Sequence, residues 1–277
     1  MNRKKLTAIL ILIFTGIFMI GCANKQISND TDSKEGIKTE VQQPVDTNTT
    51  KETTSKNTSE KKYKITKEVY KIKNVIINYP QISGLSDINK QSTINKLIKD
   101  GAEAYISNGV EDNLNLEINY KITLSNENVL SIQYSGVANL EQAAHPTNVF
   151  YTTNIDMNNG KIIKLTDLLK VNENLANSFK KGKLVCYTTF DNEKDTVEYQ
   201  SNIKELVNNM DNNELISQFE KADSKEKMIS EYVAFCYLTE DSIGISIGVG
   251  HSAGDHVEYE MKYADLRNNK NTNNKIW

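Results

Sequence analysis

The chain has 277 residues, 33 of them Lys or Arg and 36 Asp or Glu, and this formal charge of -3 excludes both a strongly basic nucleic-acid-binding profile and a polyanionic tail. Hydrophobic residues make up 38% and mean hydropathy is -0.54, which excludes a multi-span membrane protein but leaves apolar material for one or two ordinary domains. Three Pro and 13 Gly exclude collagen-like and Pro-rich architectures.

Arg3, Lys4 and Lys5 open the chain, Leu6 to Ile20 is an almost unbroken apolar run, and Gly21 then places a small residue directly before Cys22. This order predicts a secretory signal peptide over residues 1–21. The run falls short of the roughly 20 apolar residues a membrane span needs, and a polar stretch follows at once. Met19-Ile20-Gly21-Cys22 resembles the lipobox of bacterial lipoproteins. The resemblance implies that the Cys22 thiol carries a diacylglycerol, with fatty chains such as palmitate, and anchors the protein extracytoplasmically on the bacterial cell membrane. Cleavage there removes three of the 33 bases and none of the 36 acids, for a mature charge of -6.

Residues 22–62 read as a lipidated, disordered tether. From Ala23 to Lys62 there is no aromatic residue, and runs such as Thr47-Asn48-Thr49-Thr50 cannot bury enough surface to offset chain entropy. Such a segment has an r.m.s. reach of about 35 Å.

The part after Tyr63 predicts an α+β fold, a mainly antiparallel sheet with a few helices on one face. A strand is expected within Val69 to Tyr79, before Pro80. Ser86 or Asp87 caps a helix with the stripe Ile88, Ile94, Leu97, Ile98, Tyr105 and Ile106, and Asn108-Gly109 stops it. Strict alternation from Leu114 to Leu124 predicts a half-buried strand, joined by a polar turn to a partner over Val129 to Ala138. Val149, Tyr151, Ile155 and Met157 predict a further strand, turned back at Asn158-Asn159-Gly160 into Ile162 to Leu165. Thr166 caps a short helix through Leu169, and Ile203, Leu206, Val207 and Met210 predict another that continues toward Phe219. Two period-2 strands, Ser242 to Gly250 and His256 to Tyr263, complete the domain. On the first of these, Ser242, Gly244, Ser246, Gly248 and Gly250 share one face, which suits close packing of a helix or the approach of a flat ligand.

Val75-Ile76-Ile77-Asn78-Tyr79-Pro80, the helix after Gly84 and Ala143-Ala144-His145-Pro146 resemble the N-terminal domain shared by the peptidoglycan deacetylase PdaC and the anti-sigma factor RsiV. Asn154-Ile155-Asp156, Leu165-Thr166-Asp167-Leu168-Leu169 and the stretch from Ala253 to Leu266 resemble the RsiV C-terminal domain. The resemblance implies two consecutive subdomains, a PdaC-type one over residues 63–147 and an RsiV-type one over 148–267, with 268–277 left as a disordered tail. It also implies a lysozyme-like protein as partner, because the exported region of RsiV recognises lysozyme. Five residues precede the apolar run and no deacetylase domain follows, so neither sigma-factor binding nor deacetylation is expected.

Gly250-His251-Ser252-Ala253-Gly254 matches the G-x-S-x-G nucleophile elbow, in which a strand turns into a helix. Here the pattern after it is that of a strand, so Ser252 is expected to shape a loop, and no catalytic residue is assigned. His145, His251 and His256, with Asp255 between the last two, could supply Zn²⁺ ligands, but their spacing fits no helix-borne pair, and no metal or cofactor is expected. The expected ligand-contact residues are His145 and Pro146 in one turn and His251, Ser252, Asp255 and His256 in another. Cys186 and Cys236 permit a disulfide in an exported domain, or serve as small buried residues. The sequence thus reads as a non-enzymatic binding or sensing lipoprotein. The alternatives are a cell-wall glycan (peptidoglycan) accessory and a metal-dependent hydrolase, and nucleic acid is not an expected partner.

Overall fold

A computed structural model describes residues 63–185, 193–224 and 233–277. Cys22, the expected signal peptide and tether, and Cys186 lie outside the described residues. The fold is α+β, with two mostly antiparallel sheets.

The first sheet begins with a hairpin of β1 (Lys64–Ile72) and β2 (Val75–Ser83), in register from Lys64↔Ser83 to Ile72↔Val75. A single strand was expected across this region. The two-residue turn escapes notice because neither Gly nor Pro marks it; Lys73 itself takes the left-handed conformation, at φ 51°. Asp87 then caps α1 (Ile88–Ala102), its carboxylate accepting the Lys90 N–H at 2.9 Å. Ile94, Ile98 and Ala102 face inward, whereas Ile88 is 66% exposed. The helix tightens to a 3-10 turn over Glu103–Ile106 and ends near Gly109, at φ 109°.

The chain returns through β3 (Leu114–Ser125), β4 (Val129–Leu140), β5 (Thr147–Asp156) and the short β6 (Lys161–Ile162), giving the order β1-β2-β3-β4-β5-β6. Only β2 and β3, joined through α1, run parallel in this sheet, as a helical crossover requires. Alternation turns Ile77, Ile118, Ile132, Tyr134 and Tyr151 toward α1 to form one core. The Tyr134 and Tyr151 hydroxyls donate to the carbonyls of Ile98 and Ala102 in that helix. Contact there is close enough that a Cβ on Gly101 would lie 2.1 Å from Thr153 Oγ1. The alternation of β3 breaks at a bulge between Ile122 and Leu124, and Leu124 packs against the second core.

The second half contains α2 (Leu165–Leu168), α3 (Glu173–Lys180), β7 (Lys183–Val185), α4 (Glu193–Asn209), α5 (Asn212–Glu220), β8 (Phe235–Leu238), β9 (Ser242–Gly248) and β10 (His256–Lys262). Asp211 accepts the N–H groups of Asn213 and Glu214 and starts α5 anew, so the expected continuous helix is two. The second sheet has the order β7-β10-β9-β8. Ile243, Ile245 and Ile247 form a core with Phe179 of α3 and Leu215 and Phe219 of α5.

The small-residue face of β9 is therefore not the helix face. The Tyr237 ring lies across Gly244, where a Cβ would come within 2.0 Å of Cζ. The strands of this sheet meet the first sheet along a polar seam. Thr152 Oγ1 and Asn154 Nδ2 donate to the Cys236 carbonyl at 2.6 and 2.8 Å, and Ser131 Oγ accepts the Leu238 N–H at 2.9 Å. At its centre the buried Asp223 carboxylate accepts the N–H groups of Cys236 (2.9 Å) and Leu165 (2.8 Å). Burial lifts its carboxyl above the usual range, outweighing these hydrogen bonds. Cys236 is a buried free thiol, its Sγ 3.2 Å from Asp223 Oδ2. Burial pushes that thiol well up, which keeps it protonated.

Two features of the fold bear on the expected boundaries. A division at 147/148 would cut β5 off from the sheet it completes, because β5 pairs with β4 from Ala138↔Thr147 to Val129↔Asp156. The expected disordered tail is docked: Lys270 bridges to Leu169, Asn274 Nδ2 donates to the Leu168 carbonyl, and Trp277 stacks on Tyr263 at 4.2 Å.

Candidate functional site

The β4–β5 turn of the first sheet and the β9–β10 loop of the second come together at one end of the molecule. The imidazoles of His145 and His251 lie face to face, 3.4 Å apart and 8° from parallel. Asp255 joins the same two loops. Its Oδ1 is 3.0 Å from His251 Nδ1, and its Oδ2 accepts the Asn148 N–H at 2.7 Å. Asp255 takes φ 70° directly after Gly254 at φ 96°, a pair of left-handed residues that turns the chain from a 3-10 turn (His251–Ala253) into β10. From α4, the Tyr199 hydroxyl donates to the Ala253 carbonyl at 3.1 Å and braces the loop from a third element.

Beside this loop pair lies a groove of about 700 Å³. Tyr105, Leu114, Leu140, Val149 and Phe235 supply apolar walls, while Glu111, His145 and Asp255 supply polar ones. Burial, then the nearby Glu111 and Asp255 carboxylates, raise the Tyr105 phenol above its ordinary value, so it stays a neutral hydrogen-bond donor.

Of the expected ligand-contact residues, the structure brings His145, His251 and Asp255 together, with Pro146 and Ser252 exposed beside them. His256 stands outside the histidine stack but lines the same groove. Its ring stacks on Phe150 at 4.9 Å, and its Nε2 is 3.5 Å from Glu258 Oε1 in the seam. Ser252 sits in a 3-10 turn that leads into a strand, so the backbone is not that of a nucleophile elbow. The parallel histidines are poorly arranged to share a metal ion, because imidazole lone pairs lie in the ring plane and here run side by side without converging. Among the described residues no group of three or more His, Cys, Asp or Glu is placed to hold a metal.

The solved structures to which the chain is similar include two proteins of the DUF3298 family. One, from Bacteroides fragilis, is 13% identical, with 79% of this chain and 96% of that chain covered and a TM-score of 0.47. The other, from Pseudomonas aeruginosa, is 12% identical, covers 76% and 94%, and has a TM-score of 0.39. No family model matches the chain, and no characterised protein matches it by sequence.

Sequence reasoning missed Asn148, Phe150, Tyr199 and Glu258. Glu258 is the instructive case. His256, Glu258, Glu260 and Lys262 alternate with apolar residues as a solvent face would, yet Glu258 is 1% exposed and Gln133 Nε2 donates to its Oε2 at 3.2 Å. Both faces of β10 are covered, one by helices and one by a sheet. Alternation reports a polar face, not what that face meets.

Proposed function

We propose that this chain is a non-enzymatic binding module, carried outside the cytoplasm on a lipid at Cys22, that captures a protein partner with its paired loops. The observation that carries the reading is the joining of two loops from two different sheets by the His145–His251 stack and the Asp255 bridge, beside a groove with apolar walls. Loops fixed in this way lose little entropy on binding, and a rigid sheet scaffold holds them. The lysozyme-like partner implied by the sequence resemblance is basic, and a mature charge of -6 would steer it toward this domain.

The test is capture of lysozyme by the mature chain on a sensor surface. Saturable capture at micromolar concentration is expected, weakened by His145→Ala and His251→Ala, with association slowed by salt more than dissociation is hastened. Failure to capture at tens of micromolar and low salt removes lysozyme-like proteins as partner. Capture that persists unchanged in both variants moves the site off the loops. Clickable fatty-acid labelling tests the anchor: label is expected in the wild type and lost in Cys22→Ser.

A further inference from the structure

A second hollow opens between the sheets on the other side of the Phe150–His256 stack. It has a volume of about 350 Å³, in the range of small-ligand sites. Its two walls differ in character. Lys121, Gln133 and Ser135, from the outward polar face of the first sheet, line one side. Leu184 and Val185 of β7 and Ile203 of α4 line the other. Phe150 and Tyr199 add aromatic rings.

The polar groups are mixed in kind. Gln133 Nε2 donates to the buried Glu258 carboxylate at 3.2 Å, and the Gln133 amide carries a further acceptor oxygen and a second N–H. Ser135 adds a hydroxyl and Lys121 a donor, both exposed. Among the described lining residues Lys121 and Glu258 carry the formal charges, one of each sign, which disfavours phosphorylated and polycationic ligands alike. A slot with a hydrogen-bonding wall, an apolar wall and aromatic rings matches a ligand that has an apolar C–H face and an edge of hydroxyls.

We infer that this inter-sheet cleft binds the end of a neutral oligosaccharide, one sugar ring lying between the polar wall of β3 and β4 and the apolar wall of β7 and α4. The inference does not rest on the histidine pair: none of His145, His251 or Asp255 lines this hollow, although Asn148, Tyr199 and Gly254, which hold or form the loop, do.

Isothermal titration of the full chain with chitotriose, cellotriose and maltotriose tests it. Saturable binding of at least one is expected. Ser135→Trp, placed at an exposed position, should fill the slot and abolish that binding while the thermal midpoint stays within a few degrees of wild type. Phe150→Ala should weaken it about tenfold through loss of a ring face. His145→Ala should leave it unchanged, so failure of the loop reading and failure of this one are distinguishable. Absence of saturation with all three sugars overturns the inference, as does binding that survives in Ser135→Trp.

Discussion

The seam between the sheets and the loop pair at their end are both polar, and they differ in what their polar groups are for. In the seam, Ser131, Thr152, Asn154 and Asp223 are buried and bonded to backbone groups of β8 and α2. In the loop pair, His145 and His251 retain solvent exposure and stack on one another, with His251 alone contacting Asp255. Buried polar groups with fixed partners specify how two sheets dock, because every misdocked arrangement leaves some of them unpaired. Exposed ones held by a scaffold are available to a partner. Chemical type alone does not separate the two regions; burial and bonding do.

The comparison breaks most severely at Asp223. Asp223→Ala leaves the N–H groups of Leu165 and Cys236 buried without an acceptor, and a loss of about 3 kcal/mol or more is expected in urea unfolding. A loss below about 1 kcal/mol would show that the seam tolerates unpaired groups or takes in water. Gly244→Ala drives a methyl group into the Tyr237 ring, and overpacking there should cost about 2 kcal/mol.

A smaller effect tests the electrostatics of the same carboxylate. Its pKa is raised in the folded state by burial, so its favourable contribution is fully present below the unfolded-state value near 3.9 and is lost as pH rises through the raised folded value. The stability gap between wild type and Asp223→Asn should therefore be widest in acid and narrow as pH rises. A gap that widens with pH would mean that hydrogen bonding outweighs burial. Least of all, His145→Ala should change stability by under about 0.5 kcal/mol, as for an exposed side chain. A larger loss would place the histidine stack with the seam, as a structural joint.

Much of the first sheet was legible in the sequence because its strands obey one period and cover one core. Leu116, Ile118, Ile132, Tyr134 and Tyr151 all face α1 as their alternation requires. The second half was less so. The helix α3 carries its own signals, an Asn172 cap that accepts the Leu175 N–H and a stripe of Leu175, Ala176 and Phe179, but at eight residues it offers only two turns of periodicity. β5, which begins at the expected 147/148 division, serves both halves: its Tyr151 packs with α1 while its Thr152 bonds to β8. The proximity of the two histidine turns was not readable from sequence, since 105 residues lie between His145 and His251 and only the docking of two sheets brings them to 3.4 Å. What the sequence does carry is that both turns are polar and lie between strands, the usual place for contact loops.

The docked C-terminal segment also determines what light can report about this protein. Trp277 is the chain's sole tryptophan, and its ring lies on Tyr263 with its indole nitrogen buried. Intrinsic fluorescence excited at the indole band therefore watches the last few residues against the second sheet, and is blind to α1 and the first core. A fluorescence transition that precedes loss of the far-ultraviolet dichroism signal would record the release of this segment, with both sheets still folded.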